Sequence, residues 1–322
     1  MMSKTILLTF MNLTVLALFG RIISDNSFSP EGPGNLRNIV VDEESRVLYI
    51  GGDGDLYKLN TDNLSILNST KTGVSYYSKI LLKTNNNTLI LCGIDNNGKC
   101  ALYNATDLVK VSTNDQTGLY VYGNYTKTAV GLLTDNDTVL YVGRMYNTNT
   151  DKDQTYFPIT NRHTDPKDAF KVIEGVEGKR QLKIKSSYFI YFRAVFQTET
   201  HVYFLTNQKF ENDINSAYVS KLIRICKSDD TFYSYIDLEL ECKNSQGDKF
   251  NLVQHGDLIE LGDKLSPSEA NQALVATFAV GIDPENPWTN RSAICLYTLK
   301  ESQERIIEAQ TRIVSKCNSN GG

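Results

Sequence analysis

Histidine, tryptophan and proline are scarce in this chain, with three, one and seven copies in 322 residues. Three histidines leave little material for metal or general-base chemistry, and none of His163, His201 and His255 belongs to an HExxH pair. No GxSxG elbow occurs, so nucleophilic hydrolase chemistry has no foothold. A phosphate loop fails because Ile173 stands where its first glycine belongs, and Gly175 to Lys179 reads as a flexible basic turn. Basic runs are also missing, and the net charge is -4, which argues against nucleic acid as a partner. Beyond the first twenty residues no apolar run is long enough to cross a bilayer. A membrane tether is therefore expected only in a longer form of the protein.

Two acidic features invite a functional reading and do not sustain it. Asp53-Gly54-Asp55 lacks the remaining ligands of a calcium loop and reads as a hairpin turn. Asp229-Asp230 and the Glu239, Glu241 pair are too common in turns and edge strands to imply glycosidase work without a cleft. We expect no catalytic residue, no cofactor, no metal and no small-molecule substrate. A secreted catalytic propeller is the remote alternative.

The N-terminus carries an address. Lys4 precedes the apolar stretch Ile6 to Phe19, and Gly20 offers a small residue for cleavage, which is the pattern of a signal peptide over residues 1–20. The remaining residues, 21–322, form one large unit. Glycosylation sequons at Asn63, Asn68, Asn86, Asn104, Asn124, Asn136 and Asn290 fit the same compartment. In a secreted chain, six cysteines would normally read as three disulfides. Cys92 and Cys100 are close enough to close a small loop, whereas Cys226, Cys242, Cys295 and Cys317 can pair in several ways.

After the leader a pattern recurs: apolar run, polar turn, a run rich in Val, Leu and Tyr, another turn, and a third run. The first copy is Asn38 to Asp42, Val47 to Gly51 and Leu56 to Leu59. The second is Ile80 to Leu82, Leu89 to Cys92 and Ala101 to Tyr103. A third, Val130 to Leu133 and Val139 to Gly143, precedes an insertion that looks poor in strands. The fourth is Ser187 to Phe196, His201 to Thr206 and Val219 to Cys226, and the fifth Asn251 to Leu261, Ala273 to Val280 and Ala293 to Leu299. Short β-branched and aromatic runs recurring in sets predict an all-β propeller, its middle runs buried on both faces between blades. A two-sheet sandwich array is the alternative. Glu301 to Val314 departs from the pattern and predicts an amphipathic helix with Ile306, Ile307, Ile313 and Val314 on its apolar side.

Several of these segments resemble a known family. Ser220 to Cys226, followed by Phe232-Tyr233-Ser234-Tyr235 and Cys242, is similar to a segment of plexin Sema domains. Tyr156-Phe157-Pro158, Val202 to Thr206 and Ala293 to Leu299 match in the same order, so the resemblance covers about Asn38 to Cys317. Semaphorins and the hepatocyte growth factor receptor family share the fold and are the competing assignments. Where semaphorins carry an aromatic run ending in Arg-Glu, this chain has Thr206-Asn207-Gln208.

The resemblance implies a receptor ectodomain piece that binds a semaphorin-like protein ligand, with no ligand-contacting residue identified. It implies a Sema-type β-propeller, incomplete at about five of seven blades, from a truncated or short secreted form. It also implies disulfides Cys92 with Cys100 and Cys242 with Cys295, leaving Cys226 and Cys317 unpaired.

Overall fold

The computed structural model describes residues 26–30, 34–72, 77–94, 98–112, 128–134, 136–146, 155–173, 184–185, 188–211, 215–261, 271–287 and 290–308. Blade 1 is built from β1 (Leu36–Asp42), β2 (Val47–Gly52), β3 (Asp55–Asn60) and β4 (Ile66–Lys71). In blade 2 the strands are β5 (Ser78–Lys83), β6 (Thr88–Gly93), β7 (Cys100–Asn104) and β8 (Lys110–Ser112). Blade 3 holds β9 (Ala129–Leu133), β10 (Val139–Arg144) and β12 (Ile159–His163), while β11 (Thr155–Tyr156) pairs with β13 (Ile184–Lys185) as a separate ribbon. Blade 4 runs through β14 (Ile190–Gln197), β15 (His201–Lys209), β16 (Tyr218–Cys226) and β17 (Ile236–Leu240). A ribbon of β18 (Cys242–Lys243) and β19 (Lys249–Phe250) leads to blade 5, made of β20 (Leu252–Glu260), β21 (Gln272–Ala279) and β22 (Ser292–Thr298). All pairings inside the blades are antiparallel, and the fold is all-β with its sheets packed side by side as the blades of a propeller.

The middle runs are apolar throughout because alternate side chains enter different blade-to-blade seams. On β6, Leu89 and Leu91 pack with Val47, Tyr49 and Leu56 of blade 1, while Ile90 and Cys92 pack with Leu140 and Val142 of blade 3. On β15, Val202 and Phe204 join Tyr141 of blade 3, while Tyr203 and Leu205 join Leu274, Ala276 and Phe278 of blade 5. Each of the four seams thus has its own core cluster. One face of blade 5 is covered only in part: Ala273 and Ala279 of β21 are buried on it, whereas Val275, expected buried, is half-buried and Thr277 is exposed. At the other end, Phe28 lies edge-on to Tyr57, with ring centroids 5.1 Å apart, and partly covers blade 1.

Two devices let the blades approach closely. A Cβ placed on Gly143 of β10 would stand 2.5 Å from the Phe192 ring of blade 4, and one on Gly256 of β20 would stand 2.8 Å from Leu205. Only glycine lets these strands pack at that separation. The second device is polar. Asn207, fully buried on β15, donates from Nδ2 to the Val253 carbonyl at 2.8 Å and accepts from the Val253 N–H at 2.9 Å. Its amide therefore stands in for a strand neighbour across the seam between blades 4 and 5, and leaves neither backbone group unsatisfied.

Turns repeat as strands do. The first and third turns of blades 1 and 2, and the first of blade 3, each place one non-glycine residue in the left-handed region. These are Arg46, Leu64, Asn87, Leu108 and Asp137, with φ between 55° and 58°. Five elements differ from the sequence reading. β12 lies inside the stretch read as strand-poor, and outer strands β4, β8 and β17 complete blades read as three-stranded. The helix α1, over residues 299–308, starts two residues early because Thr298 caps it, its Oγ1 accepting the Glu301 N–H at 3.3 Å. Ile306 is buried as expected but Ile307 is exposed, and Ile313 and Val314 lie outside the described residues.

Replacing Gly143 by alanine is expected to destabilise the chain by about 1–3 kcal/mol, because the Phe192 ring has no free direction of retreat. Urea unfolding would show a lower midpoint at unchanged slope. An unaltered midpoint would mean that the seam tolerates a methyl group.

Candidate functional site

A protein-binding surface needs large side chains held rigidly in water-exposed positions. The segment between β16 and β17 supplies one. Asp229 organises it: Oδ1 accepts from the N–H and hydroxyl of Thr231 at 3.1 and 2.8 Å, and Oδ2 accepts from the Ser234 N–H at 2.6 Å. Ser234 in turn uses Oγ to accept the Cys226 N–H at 3.0 Å, closing the turn onto β16. Burial acts to raise the Asp229 pKa, but its hydrogen bonds with Ser234 and Thr231 outweigh it and hold the carboxyl below its usual value.

This scaffold sorts the three aromatic rings of Phe232-Tyr233-Ser234-Tyr235. Phe232, at φ 60°, turns inward and stacks on Tyr141 of blade 3 with centroids 6.3 Å apart. Burial pushes the Tyr141 hydroxyl up to about 12, so it stays protonated. Tyr235 is also desolvated, its pKa raised by burial first and Asp237 next. Tyr233 points the other way and is 77% exposed. The sequence marked this quartet as a motif but did not show which ring faces water; the spacing of Asp229, Thr231 and Ser234 is the signal that could have found it.

The sequon asparagines cluster as well. Asn63, Asn86, Asn136 and Asn290 are exposed, Asn68 and Asn104 are half-buried, and Asn124 lies outside the described residues. Asn63, Asn104 and Asn136 share one local geometry, their Oδ1 accepting the N–H of Ser65, Thr106 and Thr138 at 3.0, 2.7 and 3.4 Å. Asn68 instead donates from Nδ2 to the Asp107 carbonyl at 2.8 Å. In an antiparallel blade the first and third turns lie at one end. Asn63, Asn86, Asn104 and Asn136 therefore share an end on blades 1 to 3, whereas Asn290 follows β21 at the opposite end. Blade 4 carries no sequon.

Cys92 and Cys100 face each other across β6 and β7 and are bonded, with Cα atoms 3.9 Å apart. Cys242 and Cys295 are joined at a Cα separation of 5.9 Å, tying the ribbon to β22. Cys226 is a free thiol among the described residues, and Cys317 lies outside them. The remaining candidates do not converge. His163, His201 and His255 stand on blades 3, 4 and 5, and no metal-holding cluster exists among the described residues. Asp53 binds Arg37 and Asn35, Asp55 pairs with Lys71 at 2.8 Å, and Gly54 between them takes φ 94°, as a tight turn requires. Glu241 bridges Lys243 and Lys249 at 2.7 and 2.8 Å. Gly175 to Lys179 falls outside the described residues.

No protein-family profile matches the chain. Human Plexin-A4 is 27% identical over 335 residues, covering 88% of this chain and 17% of Plexin-A4. The chain thus spans about a sixth of the length of such relatives. A solved plexin A4 extracellular region is similar with a TM-score of 0.72 at 24% identity, covering 84% of this chain and 35% of that one. Drosophila Plexin A, solved in complex with Semaphorin 1b, is similar with a TM-score of 0.53 at 15% identity, covering 83% and 53%. Of the three groups weighed from the sequence, it is the plexins to which the curated relative belongs. The curated relatives are plexins and the solved structures supply the fold: the chain is similar to plexins over most of its length, and its described residues build five blades of a Sema-type β-propeller.

Proposed function

We propose that this chain is the extracellular ligand-binding part of a semaphorin receptor and that it works by protein–protein contact, not by catalysis. The observation that carries the reading is its similarity to plexins over most of its length, together with a solved plexin relative that holds a semaphorin. The dispersal of the histidines and the use of the acidic pairs in turns and ion pairs are consistent with a binding role. Among the described residues no helix is long and apolar enough to cross a membrane, which fits a tether located elsewhere in a longer protein.

Residues 1–20 act as a signal peptide in this reading, and residues 21–322 form the partial Sema domain. N-glycans on Asn63, Asn86, Asn104 and Asn136 would cover one end of blades 1 to 3. The Tyr233 turn belongs to the same end but to blade 4, where no glycan competes for space. An exposed tyrosine on a turn fixed by an ionised carboxylate is the type of anchor that gives binding energy at low entropic cost.

The test is surface binding of the chain, secreted and glycosylated, to a panel of semaphorin extracellular regions. Saturable binding to at least one is expected, weakened at least tenfold by Tyr233→Ala with the thermal midpoint unchanged. A folded chain that binds none of them would contradict the proposal. Asp229→Ala should in addition destabilise the fold by about 1–2 kcal/mol at neutral pH, given the partial exposure of the turn. Since the folded-state pKa of Asp229 is depressed, its contribution is present above about pH 4 and is lost as pH falls through the lower folded value. The gap between wild type and variant should therefore close in acid. A gap that persists there would assign the loss to packing.

A further inference from the structure

The innermost strands of four blades share an irregularity that the receptor reading does not use. β1 has a bulge between Leu36 and Asn38, β5 between Ser78 and Ile80, β14 between Phe192 and Ala194, and β20 between Val253 and His255. The extra residues are Arg37, Lys79, Arg193 and Gln254. A bulge re-aims the side chain it carries, and all four extra residues line one cavity of about 460 Å³ at the centre of the propeller. Thr128, at the entry to β9, completes the set from blade 3.

The lining is cationic and holds donors in excess. Three of its side chains are basic and none is a carboxylate. Arg37 is neutralised by Asp53 through contacts of 2.9 and 3.0 Å, and its guanidinium lies 3.9 Å from the Tyr77 ring centre. Lys79 approaches the same ring to 4.9 Å, so two cations share one aromatic ring. Arg193 donates from one terminal nitrogen to the Pro284 carbonyl, with Asp283 and Glu285 behind it. Its Nε and the Thr128 hydroxyl are both buried without a hydrogen-bond partner among the described residues. Orphaned polar atoms of this kind are rare in native proteins and mark a place where a partner belongs.

We propose that this ring of bulges is an oxyanion site, in which Arg193 and Lys79, assisted by Arg37, Thr128 and Gln254, take a sulfate or phosphate group. A guanidinium and an ammonium converging with neutral donors are the usual recognition set for a tetrahedral oxyanion. The cavity exceeds one ion, so the group can arrive free or as the ester of a small molecule. Burial, and then repulsion from Arg37, pull the Lys79 pKa down to about 8. Arg37, Tyr77 and Arg193 are the charged or titratable groups that face it, and an anion would relieve the crowding.

The full chain is titrated calorimetrically with sodium sulfate, and with sodium chloride at matched ionic strength. One saturable sulfate site is expected, absent with chloride, and weaker at pH 9.5 than at pH 7 as Lys79 deprotonates. Lys79→Gln and Arg193→Gln should each weaken it at least tenfold. Lys79 is half-exposed, so its variant decides the matter even if Arg193→Gln fails to fold. Glucose 6-phosphate separates the sources. Tighter binding than inorganic phosphate indicates an ester ligand, and equal binding indicates the free ion. Heats that match for sulfate and chloride, or undiminished binding by Lys79→Gln, would overturn the assignment.

Discussion

A blade of this propeller is a sheet of three or four short strands with two faces to cover, and neither face can be buried by the blade itself. The seam between neighbours is the contact on which everything else rests. Each seam takes alternate residues from the second strand of one blade and meets the opposite set from the next, so that Ile90 and Leu91, adjacent in sequence, serve different cores. Close approach then falls to glycines such as Gly143 and Gly256, and registry between blades 4 and 5 to the Asn207 amide.

Once the seams fix the blades, the strand ends and the axis become available for function. The outward turn of blade 4 inherits its rigidity from Phe232, whose ring is committed to the blade 3 seam against Tyr141. Tyr233 can be exposed because its neighbour is anchored. At the axis the innermost strands of blades 1, 2, 4 and 5 leave the regular ladder by one residue each, and the released side chains meet in the central cavity. The fold accommodates that concentration of positive charge by pairing Arg37 with Asp53 and by lowering the charge affinity of Lys79.

What could be read in the sequence follows from burial. Second strands such as Leu89 to Cys92 and Val202 to Leu205 are apolar or aromatic at every position because both faces are covered, and their runs stood out. Outer strands did not. Most of Ile66–Lys71, and Lys110 and Val111 of β8, face water, mix polar with apolar residues, and lack the contrast that marks a strand. β12 was hidden for a similar reason, since Asn161 and Arg162 are buried polar residues inside it. The bulges were out of reach because a bulge is a relation between two strands. Arg37, Lys79 and Arg193 look like ordinary scattered basic residues until the register places them around one axis.

Native-state hydrogen exchange tests the seam most directly, since amides in a strand covered on both faces open only with the blade itself. The account predicts the slowest exchange in β6, β10 and β15, faster exchange in β21, which has one partly covered face, and the fastest in β4 and β8. Exchange in β6 and β15 as rapid as in β4 and β8 would contradict the claim that packing between blades holds this fold together.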